Sequence, residues 1–249
     1  MGTVALRLTG ATKRYADKVV LDGVDLDVER DARLVVLGPS GSGKSTLLRL
    51  LAGLEPLDGG AVSRPDGSAG AIGMVFQQPL LLPWLSVREN VALGGRYRAN
   101  KQRFDPARPD ELLALFGLAD LAPARPGQLS GGEAQRVAIA RAAAVAPEVL
   151  LLDEPFSALD PATRRGMQTW LRETADRLGL AFVLVTHDVD EALYLASEIA
   201  LLDGTGAVAG RWPQLASVAH EELVAHPLRA ELFAGYRSQI AAGAAGAAT

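Results

Sequence analysis

The sequence predicts an α/β fold in which helices cover a largely parallel sheet. Two observations carry this prediction: short, unbroken apolar runs recur along the chain, and stretches with helical periodicity separate them. Unbroken runs are typical of strands that are buried on both faces, as parallel strands between two layers of helices are. Each run ends in polar or turn-forming residues. The five runs are 34–37, 72–76, 149–152, 182–185 and 199–202.

The first thirty residues follow a different pattern, because apolar and polar residues alternate in Val4–Leu8 and again in Val24–Val28. Such alternation is typical of half-buried antiparallel strands. From about residue 85 to residue 146, helical periodicity replaces the strand signal, and prolines interrupt it at 106, 109, 123 and 126. The sequence therefore predicts an antiparallel β-subdomain at the N-terminus and an inserted helical subdomain.

We expect one domain over residues 1–249. Its predicted parts are a core with the antiparallel subdomain (1–84 and 147–210), the helical subdomain (85–146) and a C-terminal helical extension (211–249). The last nine residues are almost entirely alanine and glycine, which predicts a mobile tail. His220 and His226 lie in this extension without a recognisable pattern, and we assign them no role.

Composition excludes several classes of protein. The formal net charge is −4, whereas nucleic-acid binders normally carry a basic surface, so we expect no nucleic-acid partner. The sequence contains no cysteine, which excludes disulfides and thiolate chemistry. No signal-peptide pattern opens the chain, and no segment approaches the roughly 18 to 20 apolar residues that span a bilayer. These features favour a soluble protein.

A glycine-rich loop between a predicted strand and a predicted helix satisfies G-x-x-x-x-G-K-[ST]. In such a loop, backbone N–H groups and the positive end of the helix surround a polyphosphate. The lysine, Lys44, reaches the β- and γ-phosphates, and the Ser45 hydroxyl completes a Mg²⁺ shell. The predicted ATP-binding residues here are Gly38, Pro39, Ser40, Gly41, Ser42, Gly43, Lys44, Ser45 and Thr46.

A second site element is the apolar run that ends in Asp153 and Glu154. Open α/β sheets bind ligands at the carboxyl ends of their strands, where both carboxylates are expected to lie. We expect Asp153 to hold Mg²⁺, directly or through water, and Glu154 to polarise the attacking water. Together with the glycine-rich loop, this pair predicts a nucleotide hydrolase, although a kinase or a GTPase also fits.

A third motif, Leu-Ser-Gly-Gly-Glu at 129–133, separates these alternatives. Ser130 and Glu133 form the S-x-x-E capping box that opens a helix. Gly131 and Gly132 are poor helix formers, and they leave backbone N–H groups accessible to an anion. A second phosphate-binding helix terminus suggests a site that another copy of the chain completes.

With these motifs the chain resembles the nucleotide-binding subunits of ABC transporters over roughly residues 3–205. The resemblance implies a RecA-like P-loop NTPase core, ATP hydrolysis with Mg²⁺, and a homodimer that encloses two ATP molecules. Each site would take its loop from one chain and Ser130 with Gly132 from the other. The resemblance argues against a P-loop kinase, because Leu-Ser-Gly-Gly-Glu is specific to this family.

Other roles follow from the resemblance alone. Tyr15 matches an aromatic residue that stacks on adenine, and Gln77 matches a glutamine that contacts Mg²⁺ and water. Asp160 matches a loop that crosses the dimer interface, and His187 matches a histidine on the γ-phosphate. The alternatives are a surface aromatic for Tyr15, Gln78 in place of Gln77, and an ordinary loop histidine for His187.

The segment Pro79–Ser86 (Pro-Leu-Leu-Leu-Pro-Trp-Leu-Ser) matches the place where a permease docks. Exposed Leu82, Trp84 and Leu85 would suit such a contact. The segment is similar to importers of the nitrate, sulfonate and taurine group. The resemblance thus implies membrane permease subunits as partners, a solute-binding protein indirectly, and a place on the cytoplasmic face of the membrane. A soluble, non-transport ATPase of this family and an exporter subunit remain alternatives.

Overall fold

The computed structural model describes residues 3–65, 67 and 70–246. In the last helix, side chains are described as far as residue 236. The strands of the described residues are β1 Val4–Tyr15, β2 Lys18–Glu29, β3 Arg33–Leu37, β4 Gly59–Ser63, β5 Ala71–Val75, β6 Pro147–Asp153, β7 Phe182–Thr186, β8 Glu198–Leu202 and β9 Val208–Trp212. The α-helices are α1 Lys44–Leu51, α2 Val87–Val91, α3 Arg108–Leu115, α4 Gly131–Ala143, α5 Pro161–Leu178, α6 Val189–Leu195 and α7 Pro227–Gly246.

The chain forms two compact units. Unit 1 comprises the described residues of Met1–Ser68 and Ala175–Thr249, and unit 2 comprises those of Ala69–Thr174. The limits of unit 2 differ from the limits predicted for the helical subdomain, residues 85 and 146. The predicted subdomain limits stay a prediction. Among the described residues, no helix combines the length and apolar character that a membrane crossing requires.

Unit 1 contains an antiparallel sheet and a parallel core. Strand β1 pairs antiparallel with both β2 and β4, so the predicted alternating strands do form an antiparallel sheet. In the core, β3 lies between β7 and β8 and is parallel to both, while β9 pairs antiparallel with β8. All residues of β7 and β8 are buried, which confirms the interpretation of their unbroken apolar runs.

Unit 2 combines one parallel strand pair with helices. Strands β5 and β6 pair in parallel, and Val149–Leu152 of β6 are completely buried. Residues 85–146, all of which the structure describes, contain helices α2 to α4 and short 3₁₀ turns but no strand. The helical character predicted for this stretch is confirmed.

The C-terminal residues differ from the expected tail. Helix α7 continues through the alanine- and glycine-rich sequence as far as Gly246, so residues 241–246 are helical, and the mobility of the tail stays a prediction. Alanine has the highest intrinsic helix propensity, and the repeats of two alanines offset the cost of the intervening glycines. Residues 247–249 of the predicted tail lie outside the described residues.

Candidate functional site

The glycine-rich loop of unit 1 joins the end of β3 directly to the start of α1. Gly43 is the N-cap of the helix, with φ +95°, and it provides no side-chain cap. A Cβ at this position would lie 2.7 Å from the backbone oxygen of Val20, so glycine is needed here for its conformation and its small size. The first turn of α1 holds no acidic residue, which leaves the positive helix end suited to an anion.

Lys44, the first residue of α1, is buried and folds back over the loop. Its Nζ donates to the carbonyl oxygens of Gly38 and Pro39, at 2.8 and 2.9 Å. The loop therefore holds a desolvated positive charge beside a helix N-terminus, and this combination fits the polyphosphate of ATP. A hydroxyl group at Ser45 and another at Thr46 follow in the same turn.

His187 lies at the same sheet edge as this loop. Strands β3 and β7 pair in a register that sets Leu37 opposite Thr186, so Gly38 and His187 each follow at the next position. The turn around His187 is tightly held, because Asp188 N donates to Thr186 Oγ1 at 3.0 Å. The histidine itself is exposed. Its predicted contact with a γ-phosphate stays a prediction.

Tyr15 ends strand β1, and 43% of its surface is exposed. Its hydroxyl donates to the carboxylate of Glu55, and this hydrogen bond raises the pKa of the phenol. Lys13 Nζ lies 5.4 Å from the centre of the ring, so the aromatic group has a defined position on the surface. An exposed, held ring is suited to stacking on a base, although adenine stacking stays a prediction.

In unit 2, hydrogen bonds join Gln77 to Glu154, the residue that follows β6. Gln77 Nε2 donates to Ser157 Oγ at 3.1 Å, and Ser157 Oγ donates to the backbone oxygen of Glu154 at 2.9 Å. This bond does not use the amide oxygen of Gln77, which is the atom that a hard cation prefers. The resemblance places Ser157 at the start of the loop that ends at Asp160, but it did not foresee the hydrogen bond between Ser157 and Gln77.

Glu154 has φ +42°, in the left-handed region that non-glycine residues seldom occupy. Strand β6 ends at the preceding residue, Asp153, so the chain turns sharply where both carboxylates lie. Strained backbone of this kind costs of order 1–3 kcal/mol and is concentrated at functional sites. The strain singles out Glu154 from other strand-end carboxylates.

The Leu-Ser-Gly-Gly-Glu motif begins helix α4, as predicted. Ser130 is the N-cap, its Oγ accepts from Glu133 N at 3.3 Å, and Ser130 N donates to the Glu133 carboxylate at 2.7 Å. The hydrogen bonds that the Ser130 N–H and hydroxyl donate to the carboxylate lower the pKa of Glu133. Gly132 is buried against helix α5, where a Cβ would lie 3.0 Å from Thr163 Cγ2. Close packing therefore also explains this glycine, and the phosphate contact of the motif stays a prediction.

Asp160 has a structural role that the resemblance did not imply. Its Oδ1 accepts the N–H groups of Ala162 and Thr163, both at 3.1 Å, and so caps the start of α5. A side-chain hydrogen bond with Thr163 and, after it, these N–H bonds lower the pKa of the carboxyl group. Helix capping alone accounts for an aspartate here. A contact of Asp160 across a dimer interface stays a prediction.

The segment before helix α2 presents apolar side chains on a firmly held backbone. Trp84 is 68% exposed and Leu80 is 54% exposed, whereas Leu85 is only 8% exposed. The expectation of an exposed Leu85 is therefore wrong, since this residue packs in the core and Leu80 takes its place on the surface. Leu82 is half-buried.

Three polar side chains hold the backbone of this segment through hydrogen bonds. The buried Asn90 accepts from Leu82 N at 2.8 Å and donates to the carbonyl of Ser86 at 3.0 Å. Arg141 donates to the backbone oxygens of Pro79 and Leu80, and Arg125 donates to that of Trp84. The exposed tryptophan thus projects from a rigid support, as interface anchors commonly do.

The predicted metal ligands have the right chemistry for magnesium. Ser45, Gln77 and Asp153 offer a hydroxyl, an amide oxygen and a carboxylate, which are hard oxygen donors. The described residues contain no group of three or more His, Cys, Asp or Glu side chains that could hold a metal by itself. Magnesium commonly binds through one or two protein ligands together with phosphate oxygens and water, and the donor set fits that mode.

The loop after β3 and the two carboxylates after β6 are the features of a P-loop nucleotide-binding domain. A sequence model of the ABC transporter family matches residues 21–157, which is more than half of the chain. The chain belongs to the ABC transporter family and is an ATP-binding domain of it, as the sequence predicts.

Relatives with known names are similar over most of the chain. The sulfate/thiosulfate import ATP-binding protein CysA of Xylella fastidiosa is 48% identical over 82% of the chain, which spans 62% of the length of that relative. The aliphatic sulfonates import ATP-binding protein SsuB 3 of Rhodococcus jostii is 50% identical, over 82% of the chain and 73% of the relative. The aliphatic sulfonates import ATP-binding protein SsuB of Ralstonia nicotianae is 48% identical, over 80% of the chain and 69% of the relative.

A solved structure of similar fold is that of MJ1267, an ATP-binding cassette of an ABC transporter. The TM-score is 0.76, and the alignment covers 93% of this chain and 99% of the other. At 23% sequence identity this likeness shows the fold alone. The predicted P-loop α/β fold with an antiparallel β-subdomain is confirmed.

Proposed function

We propose that the chain hydrolyses ATP and energises transport through separate membrane permease subunits. The observation that carries this proposal is the loop after β3, where Gly43 opens helix α1 without a side-chain cap and Lys44 is buried over the loop. Few requirements other than an anionic ligand explain a buried ammonium beside an unprotected positive helix end.

Each residue has a task in the proposed reaction. Lys44 would neutralise negative charge on the β- and γ-phosphates, including the charge that develops on the leaving β-phosphate oxygen, and Glu154 would accept a hydrogen bond from the attacking water. His187 donates to the γ-phosphate from the strand next to the loop. Ser157 holds the amide nitrogen of Gln77, which would leave the amide oxygen available to a metal ion or a water.

Magnesium fits the donor set of Ser45, Gln77 and Asp153, and when bound it supplies charge neutralisation at the phosphate oxygens. The protein groups hold the cation by oxygen atoms alone. Replacing Asp153 by Asn should therefore weaken ATP binding strongly when magnesium is present and only slightly when it is absent. The increase in ATP affinity that magnesium gives should become smaller.

The second half of each site comes from a partner copy in this proposal. Ser130 and Gly132 at the start of α4 would contact the γ-phosphate held by the other chain, and two ATP molecules would join two chains. Hydrolysis removes the phosphate that bridges them, and the pair opens. A mixture of Lys44→Ala and Ser130→Arg chains, each inactive alone, should regain activity, because one site of the mixed dimer is intact.

We assign the permease contact to the surface formed by Leu80, Leu82 and Trp84. An exposed tryptophan on a backbone held by Arg125, Arg141 and Asn90 is suited to insert into a groove of a partner. This contact would hold the chain at the cytoplasmic face of the membrane. A solute-binding protein would act only indirectly, through the permease.

The relatives named as sulfate, thiosulfate and sulfonate importers support import, and they favour a sulfur oxyanion, a class that includes the sulfonate taurine, over the nitrate of the wider predicted group. A non-transport ATPase of the family is the second candidate, and an exporter subunit the third. Co-purification of permease subunits with the wild-type chain but not with Trp84→Ala supports the first candidate, while recovery of the wild-type chain without any permease subunit supports the second.

ATP turnover by purified wild-type, Glu154→Gln and Lys44→Ala chains tests the enzymatic proposal. Glu154→Gln should bind ATP and lose turnover by about two orders of magnitude or more, whereas Lys44→Ala should lose ATP binding. Turnover by Glu154→Gln at the wild-type rate would show that this carboxylate does not activate water.

A further inference from the structure

The first turn of helix α6 has three carboxylates, and each has its own partner. Asp188, the N-cap, accepts the N–H groups of Asp190 and Glu191. The carboxylate of Glu191 accepts a hydrogen bond from the hydroxyl of Thr186 at 2.8 Å. Two of the three thus stabilise the turn that carries His187.

The third carboxylate connects this turn to a distant part of the chain. Arg229 donates to Asp190 with two nitrogens, Nε to Oδ1 at 2.6 Å and Nη2 to Oδ2 at 3.0 Å. Both groups are only partly exposed, at 28% and 40% of their side chains. A bidentate pair of this kind fixes orientation as well as distance.

Arg229 itself is held by helix α7. Its guanidinium lies over the ring of Phe233, with 4.8 Å between them. One position earlier along the helix, Leu232 is completely buried, and a Cβ at Gly235 would lie 3.0 Å from Leu201 of strand β8. Helix α7 therefore packs closely on the core sheet of unit 1 and delivers Arg229 from a fixed support.

The stretch that leads to helix α7 is anchored on helix α6 and the core as well. The ring of His220 stacks on that of Tyr194, the sixth residue of α6, with 3.6 Å between the ring centres and 11° between their planes. Val218 and Leu223 are 6% exposed. Residues 213–236, here called the C-terminal segment, thus contact both ends of α6.

We propose that Arg229 and Asp190 are positioning residues for His187, through which the C-terminal segment sets the geometry of the γ-phosphate contact. The inference rests on the proposed ATP hydrolysis. Since helix α6 begins two residues after His187, a shift of its first turn moves the imidazole directly. A displacement near 1 Å in a catalytic geometry can lower turnover by up to about two orders of magnitude.

Arg229→Ala, compared with Arg7→Ala, tests this inference. Arg7 forms an equally bidentate pair with Asp27 in strands β1 and β2, with distances of 2.6 and 2.8 Å and similar exposure. Both variants lose one partly exposed ion pair, so their melting temperatures should fall by similar small amounts. Only Arg229→Ala should lower kcat, by about tenfold with little change in KM, and Arg229→Lys should restore part of it.

A double substitution distinguishes action through His187 from a general loss of structure. In a His187→Ala background, Arg229→Ala should have almost no further effect on kcat, because the group it positions is already gone. A full additional loss there, or unchanged kcat in Arg229→Ala itself, overturns the inference while wild-type turnover upholds the proposed function. A wild-type chain that hydrolyses no ATP overturns both.

Discussion

Replacing Gly43 by alanine tests why the glycine-rich loop has its conformation. The residue has φ +95°, and an added Cβ would lie 2.7 Å from Val20 O and 2.9 Å from Leu21 Cδ2. The leucine methyl group can move, but the backbone oxygen belongs to strand β2 and cannot move without disturbing the β1–β2 pairing. The substitution therefore combines an unfavourable backbone conformation with a steric collision.

Gly41 of the same loop provides a matched control. It has φ +82°, but an added Cβ would have no atom within 4 Å. Gly41→Ala should thus lower the free energy of unfolding only by the cost of a left-handed backbone conformation, roughly 1–2 kcal/mol. Gly43→Ala adds overpacking of about 1–3 kcal/mol, for a total of about 2–5 kcal/mol.

Urea unfolding of both variants measures these free energies, and an unchanged m-value shows that the unfolding transition remains comparable. The difference between the two variants isolates the collision, because both share the same backbone cost. Equal losses of stability for Gly41→Ala and Gly43→Ala would refute the steric argument, and the loop would then owe its glycines to conformation alone.

Three further predictions concern unit 2. Ser130→Ala removes the N-cap of α4 and should lower the free energy of unfolding by about 1 kcal/mol in urea titrations. Hydrogen bonds lower the pKa of Glu133, so its carboxylate stabilises the fold above its unfolded pKa of about 4.3, and this contribution is lost as pH falls through the lower folded value. The melting temperature of Glu133→Gln, measured across this pH range, should therefore fall less on acidification than that of the wild-type chain. Trp84→Ala should change stability by less than about 0.5 kcal/mol but abolish stimulation of ATPase activity by permease.

Much of the fold follows from local patterns in the sequence. Unbroken apolar runs mark β3, β5, β6, β7 and β8, because a strand buried on both faces needs apolar residues at every position. Strands β4 and β9 escaped prediction. Both are half-exposed, and β4, Gly-Gly-Ala-Val-Ser, has little of the β-branched or aromatic character that marks a strand.

Some residues of the candidate site are also marked by local sequence patterns, whereas others are not. Motifs located the loop residues, Asp153 and Glu154, and the capping box of Ser130, because their function requires fixed spacing along the chain. Contacts between distant residues leave no such spacing. The bond from Gln77 to Ser157 joins positions 80 residues apart, and the pair of Arg229 and Asp190 joins positions 39 apart. Only the folded chain brings these side chains together.

The central claim is that ATP joins two copies of the chain, and sedimentation velocity of Glu154→Gln with and without Mg²⁺ and ATP tests it most directly. We expect a monomer without nucleotide, a dimer with it, and a monomer again when Ser130→Arg is added to the same chain. A dimer that persists with Ser130→Arg, or a monomer under every condition both alone and with permease subunits present, would contradict it.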